Sequence, residues 1–408
     1  MKTKQNKAII GAVLGLLVLF IFVSILKNPD AFMGDFKDYY WKSYTYSLDL
    51  DPYDLSNIEK TMLGKGEKAK SVFEERKRNL GHLAYAPFVF KLFSGFTILE
   101  YDDAQELYLL IRVLALLVLL FTWFVLILPL SQIHLNKNDL ANGLIVLLFI
   151  MFAWRSTIYT DFRVGNVSIF EQMFLWLGLY FFLKKHYNLF AIFVVFASFI
   201  KIVPIVFLGL LACRWFDRDN RKKVYLAMTV GVGGFGLYHL LNYLSGPEIY
   251  TTYFFTVLNM ADESRGVVNP SLMSLLKDIC QWSVEYFGIV SDYNRYANIL
   301  FVFSVAALSF PFFWVLLKKK LYKDHMELVM FTCFYIAAIL PRLKNYSYIL
   351  LVLPAIYFIA KREKATEKVI FSILVMGHFL SPYYNYFLIV FIFLYWVKKG
   401  VSQDSLPV

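Results

Sequence analysis

Apolar residues along this chain are sorted into long blocks separated by short polar stretches. Lys2, Lys4 and Lys7 precede an uninterrupted apolar run from Ala8 to Leu26. That run is too long for a signal-peptide core and no small-x-small cleavage site follows, so it predicts a retained membrane helix with a cytoplasmic amino end. Further apolar blocks at 104–130, 140–153, 167–183, 224–243 and 297–317 each predict a helix. Three longer blocks are better read as hairpins. Taken as one span, Leu189–Cys213 would put Lys201 near the bilayer centre, at a cost of about 2.5–3.5 kcal/mol, and would carry the run Arg214–Lys223 outside. Turning the chain at Lys201–Pro204 removes both problems. The same reasoning splits 326–360 at Pro341-Arg342-Leu343-Lys344-Asn345 and 369–397 at Ser381-Pro382-Tyr383. The expectation is an all-α polytopic membrane protein, one integral domain over 1–408, with about twelve helices and both termini cytoplasmic.

Charge tests that arrangement. Lys184-Lys185, Arg218 with Arg221-Lys222-Lys223, Lys318-Lys319-Lys320 with Lys323, and Lys361-Arg362 with Lys364 all fall in short loops assigned to the cytoplasm. Two long segments then lie outside: 27–103, expected to hold interfacial helices, and 244–296. Composition agrees, with 59% hydrophobic and 17% charged residues against about 45–50% and about 25% in soluble domains. Soluble nucleotide-dependent enzymes, disordered scaffolds and secreted disulfide proteins are excluded. The net charge of +11 raises nucleic acid as a partner, but the basic residues sit in runs between apolar blocks, where they orient helices against membrane lipids; no nucleic acid is expected. Cys213, Cys280 and Cys333 lie far apart and have neither disulfide nor zinc spacing.

The outer segments hold the candidate chemistry. Gly34-Asp35-Phe36-Lys37-Asp38-Tyr39-Tyr40-Trp41 opens the first of them, so Asp35 stands a few residues beyond the first helix, among aromatic residues suited to the interface. A carboxylate at such a boundary suits a general base; the competing reading is the start of a solvated interfacial helix. Arg163, Lys201, Arg342 and Lys344 supply cations at other outer turns. Together they suit an anionic lipid phosphate, Arg as a fork and Lys as a point charge, whereas singly each could snorkel to headgroups. Pro204 and Pro341 fix the turns that carry them. Glu171, one turn into a helix after Gly165-Asn166, is costly unless paired or facing a cavity. His82, just before Tyr85, is a candidate contact for acceptor or phosphate. Asp49-Leu50-Asp51 and Asp217-Arg218-Asp219 have a metal-binding string, but the first runs into Pro52 and the second lies among basic residues, so no metal is assigned.

Four pieces in order resemble the polyprenol-phosphate-sugar-dependent glycosyltransferases of the GT-C class, specifically family 87, which includes mycobacterial α-mannosyltransferases. They are Gly34-Asp35-Phe36…Tyr39-Tyr40 with Pro52-Tyr53, Tyr85-Ala86-Pro87, Gly165-Asn166-Val167, and Lys201-Ile202-Val203-Pro204. The run Pro341–Tyr346, followed by Pro354, adds to the match. The chain departs from the family pattern at Asn166, where Gln is more frequent, at Ala86, where a second Pro is, and at Asn345, where close relatives are expected to be acidic. The resemblance implies a GT-C-type bundle that passes a hexose, mannose in these relatives, from a polyprenyl-phosphate donor to a glycan or glycolipid hydroxyl on the non-cytoplasmic face. Asp35 matches the family's first-loop catalytic Asp. Arg342, Lys344, Lys201 and Arg163 are the implied phosphate ligands, and Asp38, Tyr39, His82, Tyr85, Asn166 and Glu171 the implied substrate contacts. Attack from the face opposite the phosphate gives inversion, and no cofactor is required. A flippase or transporter of a lipid-linked saccharide is the alternative; it would gather ionisable residues near the bilayer midplane and often shows inverted repeats. A membrane polymerase or ligase using a diphosphate-linked glycan is a third.

Overall fold

The computed structural model describes residues 33–82, 85–131, 139–215, 220–260, 269–288, 292–377 and 381–399, and every regular element among them is helical. The expected amino-terminal helix and both termini lie outside the described residues. Among the described residues three helices are long and apolar enough to cross a membrane: Tyr101–Ser131, Arg221–Ser245 and Tyr293–Lys318. Shorter apolar helices accompany them, among them Ser168–Leu183, Tyr187–Ile200 and His325–Ile339, so the expected count of about twelve spans is neither confirmed nor excluded. Where the sequence pattern suggested hairpins, the helices are short. Tyr187–Ile200 has 14 residues, about 21 Å at 1.5 Å per residue, against a hydrocarbon core of about 30 Å.

The hairpin turns themselves fall where expected. Tyr187–Ile200 stops at Lys201, whose backbone is extended, and the chain resumes as a 3-10 turn, Val203–Leu208, with Pro204 in its first turn. His325–Ile339 stops before Pro341 and the chain resumes at Asn345. Ala365–Met376 and Tyr384–Lys399 flank the 381–383 turn. The block 140–153 ends where helix Asp139–Val164 breaks, with Trp154, Arg155 and Ser156 left-handed at φ 54°, 61° and 57°. Left-handed non-glycine residues cost about 1–2 kcal/mol each, and packing holds them. Trp154 is fully buried against Phe334 and Tyr348, and Arg155 donates to the Ser381 carbonyl at 2.7 Å.

The turns sort to opposite ends. Thr157 donates to the Asn345 carbonyl at 2.7 Å and Lys201 lies 4.6 Å from the centre of the Tyr346 ring, so the 165–167, 201, 341–346 and 381 turns share one end. At the other end Arg214 donates to the Tyr322 carbonyl, the His325 ring lies 5.8 Å from Phe182, and Lys361 pairs with buried Glu327 at 2.7 Å. The described part of the loops assigned to the cytoplasm therefore lies away from Asp35, while Lys201, Arg342 and Lys344 stand at its end.

The first long segment folds onto the Asp35 end as helices Gly34–Ser47, Leu55–Leu63, Glu67–His82 and Pro87–Phe93. Asp54 caps the second by accepting the Ser56 N–H at 2.9 Å, and Pro87 opens the fourth, where a missing N–H costs nothing. Phe36 stacks on Tyr108 with centroids 4.5 Å apart and an interplanar angle of 14°, docking the Asp35 helix on the Tyr101–Phe121 helix.

The main chain makes the closest approach. Met33 N–H donates to the Arg163 carbonyl at 2.8 Å, and Gly165 sits at φ +75°, where an added Cβ would lie 2.7 Å from Met33 Cα. Both reasons exclude a side chain at 165. Gly165→Ala is expected to destabilise the fold by about 2 kcal/mol or more and to displace the Asp35 helix; a thermal midpoint in detergent equal to that of the wild type would refute this.

Candidate active site

The Asp161–Asn166 turn is held from beneath. Arg112 and Asp161 form a fully buried ion pair at 2.8 Å, and Arg112 also donates to the Asp161 and Phe162 carbonyls at 2.6 and 3.1 Å. Tyr108 donates to the Gly165 and Asn166 carbonyls at 3.2 and 3.3 Å. Breaking such a buried pair by removing one partner costs about 3–5 kcal/mol, so the turn is rigidly seated.

Asn166 projects from this seat with no exposure. Its Oδ1 accepts from Lys201 Nζ at 2.8 Å, Ser168 Oγ at 2.9 Å and Ser168 N–H at 3.1 Å. The last is an Asx-type turn, in which the side chain bonds the backbone two residues on. Because three donors converge on Oδ1, the amide must present Nδ2 on its other side. There Nδ2 donates to Asp35 Oδ2 at 2.7 Å and faces the Tyr39 and Tyr85 hydroxyls at 3.2 Å each. Two hydrogens serve three oxygens, and the phenols relieve the shortage by bonding each other, Tyr39 donating to Tyr85 at 2.7 Å. Burial pushes both phenols above their usual range, so both stay protonated at neutral pH.

Asp35 and Lys201 thus sit on opposite sides of one carboxamide. Their side chains retain 21% and 17% exposure, so each is reachable while Asn166 is not. Lys201 also touches Ser168 Oγ, lies 3.6 Å from Glu171 Oε2 and faces the Tyr346 ring. Arg342 is half-buried on the same turn, four residues before Tyr346.

Other sequence candidates take different places. Asp38, expected to touch substrate, has no exposure; it falls one turn from Asp35, and Arg76 grips it through Nε at 3.0 Å and through a second, terminal nitrogen. Burial pushes the Asp38 carboxyl up to about 7 against the pull of that guanidinium. The pair holds Arg76 3.8 Å from Asp35 Oδ1. Glu171 is 4% exposed and lies behind Lys201 rather than beside it at the surface. The Arg163 side chain is exposed; its carbonyl is what enters, by accepting Met33 N–H. Lys344 is half-buried on the Arg342 turn. His82 closes its helix, and its side chain lies outside the described residues. Among the described residues no three His, Cys, Asp or Glu gather as metal ligands.

Sequence reasoning missed Arg76, Arg112, Asp161 and Tyr346. Arg112 carried a signal, since a lone arginine inside the block 104–130 must find a buried partner. Arg76 carried none, being one charge in a helix full of them.

A model of glycosyltransferase family 87 matches residues 83–341. No curated protein and no solved structure matches the chain. The matched stretch contains Tyr85, Asn166, Glu171 and Lys201 and stops short of both Asp35 and Arg342, so the tie from Asp35 to the matched region is the 2.7 Å bond from Asn166.

Asn166→Ala removes that tie and leaves several buried groups without a partner, each costing about 1–3 kcal/mol. The expected result is a lower thermal midpoint together with loss of activity. Asn166→Asp keeps the acceptor side toward Lys201 but sets a second carboxylate against Asp35, and is expected to lose activity with a smaller change in stability. Full activity in either variant would show that the carboxamide does not organise the site.

Proposed function

The chain belongs to glycosyltransferase family 87, and on that premise we propose that this membrane glycosyltransferase moves a hexose from a polyprenyl-phosphate donor to a hydroxyl of a lipid- or glycan-linked acceptor. The resemblance implies mannose as the sugar. The site faces the periplasm or cell exterior, a reading supported by the described basic loops assigned to the cytoplasm, which lie at the opposite end.

One observation carries the chemistry: an acid and a cation flank the Asn166 carboxamide, Asp35 at 2.7 Å and Lys201 at 2.8 Å. Transfer needs both. An acceptor hydroxyl is too weak an acid to attack unaided, so Asp35 takes its proton within hydrogen-bond reach. Asn166 holds Oδ2, and Oδ1 is the oxygen turned toward the acceptor, with Arg76 3.8 Å away. As the acceptor oxygen bonds to the anomeric carbon, the bond from that carbon to the phosphate oxygen breaks and its electron pair leaves with the phosphate. Lys201, Arg342 and Lys344 take up the charge that develops there. Entry and departure on opposite faces invert the anomeric centre. Glu171, 3.6 Å from Lys201, balances the ammonium before the donor arrives. The proton ends on Asp35 and passes to water when product leaves.

Purified protein in liposomes, given a labelled polyprenyl-phosphate hexose and a glycolipid acceptor, is expected to transfer the sugar. Asp35→Asn, which preserves side-chain shape, should lower the rate by about 10²–10⁴-fold with the protein still folded. Undiminished transfer by that variant would remove Asp35 from the mechanism. Movement of labelled lipid across the bilayer without bond formation would transfer the assignment to a flippase.

A further inference from the structure

Arg342 lies one residue beyond the matched segment, on a turn without helical hydrogen bonds of its own across 341–344. A guanidinium on such a turn is aimed by whatever fixes the main chain on either side of it. The Pro341 carbonyl, on the amino side, accepts from Ser271 Oγ at 2.6 Å. The Leu343 N–H, on the carboxyl side, donates to Asn269 Oδ1 at 2.7 Å. The two peptide groups that bracket Arg342 are therefore both held by one three-residue segment, Asn269-Pro270-Ser271. A third bond reinforces the clamp, Tyr348 Oη donating to the Pro270 carbonyl at 3.2 Å.

The clamp is anchored in turn. Asn269 is 1% exposed and Ser271 has no exposure. The Asn269 amide donates to Ser274 Oγ at 3.0 Å, so both ends of this carboxamide are committed. Ser271 caps helix Leu272–Phe287 by accepting the Ser274 N–H. On its far flank the Arg342 turn is tied by Thr157 to the Asn345 carbonyl. Restraint at both flanking peptides leaves the Arg342 backbone little torsional freedom, on the same 341–346 turn whose Tyr346 ring lies 4.6 Å from Lys201 Nζ. This is how a rigid support aims a charged group.

We infer that Asn269 and Ser271 are positioning residues for donor-phosphate recognition, acting through Arg342, and that the long segment 244–296 contributes to the active site by this clamp. The inference rests on the reading of Arg342 as a phosphate ligand.

Steady-state transfer in liposomes separates the possibilities. Arg342→Gln is expected to raise the donor KM about tenfold or more with acceptor KM unchanged; no change in donor KM would overturn the reading of Arg342, and with it this inference. Given that rise, Asn269→Ala should raise donor KM about five- to tenfold, again without moving acceptor KM. Asn269→Asp keeps the Leu343 acceptor and should stay within about twofold of wild type. Adding Asn269→Ala to Arg342→Gln should bring little further loss, because both changes act on one interaction. Ser271→Ala supplies an independent arm with the same donor-side signature if Asn269→Ala folds poorly. Equal effects on donor and acceptor KM, or full additivity in the double variant, would mean that the segment merely stabilises the protein and would overturn the proposal. Absence of transfer by the wild type from every polyprenyl-phosphate donor would instead sink the underlying function.

Discussion

A single buried carboxamide organises this protein's chemistry. Asn166 has an acceptor side and a donor side, and the fold sets a cation against one and an acid against the other. A carboxamide meets both charges at once, with separate donor and acceptor atoms and no charge of its own. The arrangement is also unforgiving, because the amide has no exposure and each of its atoms must find a protein partner. The surrounding structure meets that demand. Ser168 fixes the amide's orientation, the Tyr39–Tyr85 pair absorbs the shortage of hydrogens, and the Arg112–Asp161 pair seats the turn from below.

The close approach at Gly165 is the backbone counterpart. A first-segment helix bearing the acid must come within bonding distance of a turn more than a hundred residues away, and Met33 achieves this by hydrogen bonding to the Arg163 carbonyl. A glycine is what allows main chain to meet main chain there. Phe36 on Tyr108 supplies apolar contact that fixes the helix in rotation as well as position. Asp38 and Arg76 then place a second cation near Asp35, so the acid stands between Asn166 and a guanidinium that is itself tethered.

Two uses of charge coexist in the bundle. At the Asp35 end, Asp35, Arg76, Lys201, Arg342 and Lys344 retain partial exposure, while Asp38 and the Arg112–Asp161 pair beneath them do not. Elsewhere they are matched and enclosed: Glu327 accepts from Tyr357, Lys361 and Trp396 at 2.6, 2.7 and 2.6 Å, joining three helices through one carboxylate. Arg112 with Asp161 is of the same kind. The contrast separates the groups available to a substrate from those spent on architecture. By that measure Asp38, although acidic and close to Asp35, belongs with the architecture.

Much of the helical plan was legible in the chain. Lys201, Pro341 and Pro382 announced turns because a charge at the bilayer centre and a proline inside a helix are each costly wherever the helix sits. Those are local penalties, readable without knowing any neighbour. Asp35 and Lys201 stood out by their charge at outer turns and Asn166 through the family resemblance, but neither route could say that one side chain joins them. Sequence reasoning could not fix how long each helix of a hairpin is, since that depends on where packing lets the helix stop. Nor could it say that the Arg163 carbonyl, rather than its exposed side chain, accepts the Met33 N–H. Arg76 and Asn269 were invisible because neither has a distinctive neighbourhood in sequence. Their importance comes from partners 38 and 74 residues away, and which distant groups meet is decided by how helices pack.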